Sequence, residues 1–194
     1  MADRVTLSCW VRGYTAQNML ANFEKLLWRF PFSRLRPLAR LTIYAVDYSE
    51  SPIDEHVFEG EVTAADIVDA CGEFQNSDCA YELEAYWELW RYEDEQWTLA
   101  PATVLLTCYA PLFPSEMGEQ LRIDFGAEDQ FLPPEDDAPA LRAVKSNVQS
   151  LLRFAEDVGE AVPLEKRLLW SEDGDNLAER LQEALAEDGD SRSN

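Results

Sequence analysis

Residues 79–111, CAYELEAYWELWRYEDEQWTLAPATVLLTCYAP, decide the fold. Between Cys79 and Arg91 the odd positions are Cys79, Tyr81, Leu83, Ala85, Trp87, Leu89 and Arg91, apolar or aromatic except the last. The even positions are Ala80, Glu82, Glu84, Tyr86, Glu88 and Trp90, half of them glutamate. Side chains on a strand point to opposite faces in turn, so the pattern is that of a half-buried strand. A helix would gather Leu83, Tyr86, Trp87 and Trp90 on one stripe, but it would strand Ala85, Leu89 and Tyr92 off that stripe. The aromatic density also favours extended backbone. Tyr92-Glu93-Asp94-Glu95-Gln96 is a polar reversal, and Trp97–Leu99 with Thr103–Ala110 supplies the returning strand. Pro101 brings no N–H to a ladder and marks a bulge, an edge or a break. Val104-Leu105-Leu106 is apolar on both faces, which places this strand centrally.

On the N-terminal side of the hairpin, Val5, Leu7, Cys9 and Val11 alternate with Thr6, Ser8 and Trp10 in a first strand. Thr15 is positioned to cap a helix over 16–30, whose apolar stripe is Met19, Leu20, Phe23, Leu26, Leu27 and Phe30; Pro31 ends it. A second strand spans Leu41–Tyr48, and the order strand, helix, strand resembles the start of ferredoxin-like folds. That resemblance is one of element order alone and implies no function. His56–Val62 reads as a short edge strand. Thr63-Ala-Ala-Asp66 has the form of a capping box, and Ile67, Val68, Ala70, Cys71 and Phe74 follow on a short helix.

On the C-terminal side, Leu121, Ile123 and Phe125 alternate in a further strand. Residues 126–138 form a polar, acidic connection containing Pro133-Pro134. Leu141, Val144, Val148, Leu151, Leu152, Ala155 and Val158 define a long helix, with Asp136 and Asp137 suited to its N-terminal dipole and Gly159 and Pro163 as its stop. Leu168-Leu169-Trp170 is a strand or a docking turn, and Asp175 caps a last helix through Leu177, Leu181, Ala184 and Leu185. The expected class is therefore α+β: a mainly antiparallel sheet of about five strands with four helices, packed on at least one face. Residues 1–126 make the sheet part. Residues 127–194 make the acidic connection and a helical part on the same core, a single domain overall.

Charge is the strongest compositional fact. The 194 residues carry 16 Lys and Arg against 38 Asp and Glu, a formal net charge of −22. Residues 1–40 hold seven basic and two acidic side chains, whereas 41–100 hold one basic and sixteen acidic. Such a middle repels phosphate, so direct binding to nucleic acid is excluded as an expectation. An apolar content of 46% argues for a packed core. The chain shows no apolar run of membrane-spanning length and no signal-like start, so a soluble cytoplasmic protein without membrane contact is expected. Cys9, Cys71, Cys79 and Cys108 lie in apolar surroundings with no CxxC spacing and read as buried, reduced thiols.

Little in the chain points to chemistry. His56 is the single histidine. Asp124-Phe125-Gly126 spells DFG without the remaining kinase signatures and is a chance match. No catalytic residue, metal site or cofactor is assigned. The best enzymatic alternative is a carboxylate cluster of Glu82, Glu84 and Glu88 on one strand face, joined by Asp124, with Glu82 and Glu84 about 6–7 Å apart at Cα. An aromatic pocket of Trp10, Trp87, Trp90, Trp97, Tyr86 and Tyr92 is the other small-molecule alternative. Tyr86, Trp90 and Tyr92 share the glutamate face, so either the 141–158 helix or a partner should cover them.

The first expectation for function is a non-enzymatic acidic module that binds and neutralises a basic protein. Glu82, Glu84, Glu88, Glu93, Asp94 and Glu95 supply the field, and Tyr86, Trp90 and Tyr92 serve as anchors. Arg29, Arg34, Arg36 and Arg40 form the basic cluster, which can hold an anion or pair with the acidic middle of its own or a neighbouring chain, so a homo-oligomer is also open.

Overall fold

A computed structural model of the chain describes residues 4–93, 95–131, 138–171 and 181. The connection with Pro133-Pro134, Asp136 and Asp137, the side chains of Glu93 and Leu141, Asp94, and all of the expected last helix except Leu181 lie outside the described residues.

Seven strands form one antiparallel sheet: β1 (Arg4–Val11), β2 (Leu38–Ala45), β3 (Asp54–Glu59), β4 (Cys79–Glu93), β5 (Gln96–Tyr109), β6 (Leu121–Ala127) and β7 (Leu164–Ser171). Their order is β3-β2-β4-β5-β6-β1-β7. The helices are α1 (Met19–Leu27), α2 (Ala64–Gly72) and α3 (Ala138–Ala161). The class is thus α+β with an antiparallel sheet, but with seven strands among the described residues rather than five. The patch at Leu168–Trp170 is part of a full strand, β7, pairing with β1 through Leu7 and Leu169. β1 and β2 run in the same direction, with β4, β5 and β6 between them.

The alternation of β4 sets the two faces. Tyr81, Leu83, Ala85, Trp87 and Leu89 enter the core, where Trp87 packs on Phe125, Phe131 and Phe30. The same face gathers Leu7 and Cys9 of β1, Leu41 and Ile43 of β2, and Leu121 and Ile123 of β6. The helices cover this face through Phe23 and Leu26, Ile67 and Cys71, and Val148, Leu151 and Val158; Leu181 belongs to the same cluster. Each such aliphatic or aromatic side chain contributes about 1.5–3 kcal/mol on burial.

Several element ends differ from expectation for local reasons. α1 starts after Asn18, not Thr15, and the Asn18 side chain makes no capping bond; the two residues instead bond each other reciprocally, Thr15 N–H to Asn18 Oδ1 and Asn18 N–H to Thr15 Oγ1. β2 stops at Ala45 because Val46 takes φ 71°, a left-handed conformation that breaks an extended chain. α3 runs through Gly159 to Ala161. Gly159 leaves the space that the Arg167 guanidinium occupies as it donates to the Ala155 carbonyl. The Thr63 cap is present, its hydroxyl oxygen accepting from the Asp66 N–H at 3.2 Å.

The β4–β5 hairpin extends past both neighbours, since β2 pairs only up to Glu84 and β6 only to Leu105. Beyond those points its outer edges have no strand neighbour among the described residues, a hazard that folds must manage. On the β4 edge, the Ser33 N–H donates to the Tyr86 carbonyl at 2.7 Å, and Asn147 of α3 takes both backbone groups of Trp90. Pro101 causes no bulge: it pairs with Glu88 in unbroken register. Tyr86 and Trp90 turn their backbone groups away from β5, so the intervening Glu88 does too, and its partner Pro101 needs no N–H there.

Candidate functional site

The second face of the sheet bears no helix from α1 to α3 in the core cluster, and its side chains fall in register rows. One row runs Arg40, Glu84, Leu105, Asp124, Thr6 and Trp170; the next runs Thr42, Glu82, Thr107, Arg122, Ser8 and Leu168. Glu84 and Asp124 are two strands apart, about 10 Å at Cα.

A depression of about 260 Å³ opens on this face, walled by Tyr48, Glu82, Thr107, Tyr109, Arg122 and Asp124. Tyr48 comes from the β2–β3 connection. Its ring meets Tyr44 and Phe113 edge-on, and Phe113 stacks on Tyr109, so an aromatic cluster forms one wall. Burial raises the hydroxyl pKa of Tyr48 and of Tyr109 above the ordinary phenol value. The charges in the depression are unequally matched. Arg122 sits between Glu116 and Glu119, and its guanidinium lies over the Trp170 ring. Asp124 pairs with Arg4 at 2.8 Å and accepts from the Gly126 N–H. Glu82 makes neither an ion pair nor a side-chain hydrogen bond among the described residues. Burial, with the neighbouring Glu84 charge second, raises its carboxyl pKa.

The residues expected to form a partner surface separate into three groups. Glu82 and Glu84 lie on the open face; Tyr86, beside them, is covered. What covers Tyr86 is Arg36, whose guanidinium sits 4.0 Å from the ring centroid, rather than α3. The Tyr86 hydroxyl donates to Glu84 Oε1 at 3.2 Å. Glu88 is occupied: its Oε1 accepts from the Arg34 N–H at 2.7 Å, the Leu35 N–H at 3.1 Å and the Ser33 hydroxyl at 3.1 Å. Those bonds, the backbone one from Leu35 foremost, hold its pKa below the ordinary glutamate value. Trp90, Tyr92 and Glu95 stand on the projecting hairpin tip, where Tyr92 is 58% exposed and leans on Trp97.

The basic cluster is exposed throughout. Arg29 follows α1, Arg34 and Arg36 sit in the loop that wraps Glu88, and Arg40 stands opposite Glu84 in the ladder. Among the described residues none of the four makes an ion pair. The anion this loop binds through its backbone is therefore Glu88 of the same chain.

The expected aromatic pocket is not one place. Trp87 is core, Trp10 lies across the sheet beneath Lys166, and Trp90, Tyr92 and Trp97 border a separate cleft of about 450 Å³ with Gln130 and Val144. His56 faces Asp54 at 2.5 Å on the edge strand, away from the depression. Among the described residues no group of His, Cys, Asp or Glu side chains is arranged to hold a metal ion, and no helix is long and apolar enough to cross a membrane.

Comparison with protein-family models, curated proteins and solved structures finds no match to this chain.

Of the residues around the depression, the glutamate pattern singles out Glu82, and Asp124 enters as its companion. Tyr48, Thr107, Tyr109 and Arg122 escape notice in the sequence. Thr107 and Tyr109 carry a signal, since both occupy the β5 positions opposite Glu82 and Ala80. Tyr48 carries none, because the path of its loop is not encoded by any period.

Proposed function

We propose that the protein is a non-enzymatic binding module that accepts a basic protein surface on the open face of its sheet and on the hairpin tip. The observation that carries this reading is Glu82: a partly buried carboxylate, beside Glu84 on the same strand face, with no cation paired to it among the described residues. A surface that leaves such a charge unmatched gains when a partner supplies the cation. The tip adds Trp90 and Tyr92, an amphipathic aromatic pair of the kind that dominates interface energetics. Glu88 is not part of this surface, because the 33–35 loop already satisfies it.

The test uses the full chain, immobilised and challenged with host lysate, with bound protein eluted by a salt gradient and identified by mass. The affinity of an eluted basic protein is then measured against the wild type, the Glu82→Lys/Glu84→Lys variant and Tyr92→Ala. The charge reversal should weaken binding at least about tenfold and flatten the salt dependence, since fewer ionic contacts remain to be screened. Unchanged affinity in the reversed variant would show that the open face is not the contact surface.

A further inference from the structure

Three aromatic rings of the open face each lie beneath a cation of this chain. Arg36 lies over Tyr86 at 4.0 Å, Lys166 over Trp10 at 4.5 Å and Arg122 over Trp170 at 5.7 Å from the ring centroids. In each case a cation of this chain meets the negative face of the ring. Tyr48, at the lip of the depression and 44% exposed, has no such cation among the described residues. The carboxylate in the same depression, Glu82, has none either. The other two charges there are already matched, Arg122 by Glu116 and Glu119 and Asp124 by Arg4. Among the described residues no cation stands between this carboxylate and the Tyr48 ring.

We propose that this depression receives one basic side chain, arginine or lysine, from the partner protein, with its charge on Glu82 and its stem against Tyr48. The inference rests on the partner reading above and narrows it to a single anchoring pocket. The space of about 260 Å³ is that of a one-residue socket rather than of a metabolite cleft. The Thr107 hydroxyl and the Asp124 carboxylate, both lining the depression, are acceptors by type for the remaining N–H groups of a guanidinium. Burial, with the Glu84 charge second, raises the Glu82 carboxyl pKa, and a bound cation would favour its charged form.

Two probes test the proposal by NMR on the full chain: butylguanidinium, and a hexa-arginine peptide. The Thr107 methyl and the Tyr48 and Tyr109 ring signals are followed. Saturable shifts at these signals with both probes are expected. Glu82→Gln should weaken both interactions about tenfold, a loss on the scale of one charge-assisted contact. Glu84→Gln, one step along the same strand face, should change butylguanidinium affinity less than about twofold. Tyr48→Leu provides a second variant that keeps the charge and removes the ring, and it should also weaken butylguanidinium binding.

Shifts spread evenly over the acidic face, or equal losses in the Glu82 and Glu84 variants, would overturn the pocket. Peptide binding that is unaffected by Glu82→Gln would overturn it too, while leaving the basic-partner reading intact. Saturable butylguanidinium binding without any peptide binding would overturn the assignment to a partner's side chain together with the partner reading, and would leave a site for free organic cations.

Discussion

The side-chain amide of Asn147 closes a two-way bond with the backbone of Trp90: its Oδ1 accepts from the Trp90 N–H at 2.8 Å and its Nδ2 donates to the Trp90 carbonyl at 2.9 Å. The same Nδ2 also donates to the Gln130 carbonyl at 2.9 Å. One side chain of α3 thus behaves as a residue of a missing neighbouring strand, and it does so while 1% exposed.

Asn147→Ala should therefore cost about 2–4 kcal/mol, because it orphans three backbone groups in a buried setting. Asn147→Asp keeps an acceptor for the Trp90 N–H but turns a carboxylate towards two carbonyls, and its loss should be at least as large. Urea midpoints of the two variants decide the matter. A change below about 0.5 kcal/mol in Asn147→Ala would mean that water replaces the amide freely.

Glu88 fastens the loop before β2 through three bonds to one oxygen. Since the site is only partly buried, Glu88→Ala should cost about 1 kcal/mol at neutral pH. The pH dependence has a defined sign. The folded carboxyl pKa lies below the ordinary 4.5, so the contribution is fully present above that value and is lost as pH falls through the folded pKa. Wild type and variant should differ at pH 7 and converge in acid. A gap that persists undiminished at low pH would show that the loop depends on something other than the ionised carboxylate.

Alkaline stability should fall early. Burial pushes the thiols of Cys9 and Cys108 up from 9.0 to about 12, and also raises Cys71, Tyr14 and Tyr81. These groups stay protonated in the folded chain after they have ionised in the unfolded one. Their contribution is complete below the unfolded value and declines as pH rises past about 9, at about 1.4 kcal/mol per pH unit for each thiol. Denaturant midpoints between pH 7 and 10.5 should bend downward near 9, and the slope should be smaller in Cys9→Ala. A flat profile to pH 10.5 would contradict the burial of these thiols.

Val46 is a β-branched residue held at φ 71° while its N–H donates to the Asp78 carbonyl at 2.9 Å. Left-handed backbone costs such a residue about 1–2 kcal/mol, and its exposed side chain returns little. Val46→Gly should raise the urea midpoint by the equivalent of about 1 kcal/mol, and Val46→Ala should gain less because it retains a Cβ. A loss in both variants would indicate that the Val46 side chain packs on something that offsets the strain.

Much of the local structure is legible in the chain. The two-residue alternation of β4 separates core from open face before any neighbour is known, and Thr63 with Asp66 marks the start of α2. Ends set by a backbone outlier are not legible in this way. Leu41–Tyr48 looks continuous as a strand, yet Val46 breaks it, since a valine gives no sign of a left-handed conformation. Leu168-Leu169-Trp170 reads as a short patch because the flanking Glu165, Lys166 and Arg167 carry no apolar signal; only pairing to β1 across more than 150 residues makes the segment a strand.

The candidate site divides in the same way. By itself the sequence determined that Glu82, Glu84, Tyr86, Glu88 and Trp90 share one face, because that depends on a period of two along a single strand. Only the tertiary structure decided which of them remain open. The 33–35 loop occupies Glu88, Arg36 covers Tyr86, and Tyr48, Thr107 and Arg122 arrive around Glu82 from three separate segments. The physical reason is range. Alternation is a property of neighbouring peptide units, whereas the register of distant strands and the path of a loop are set by packing of the whole core.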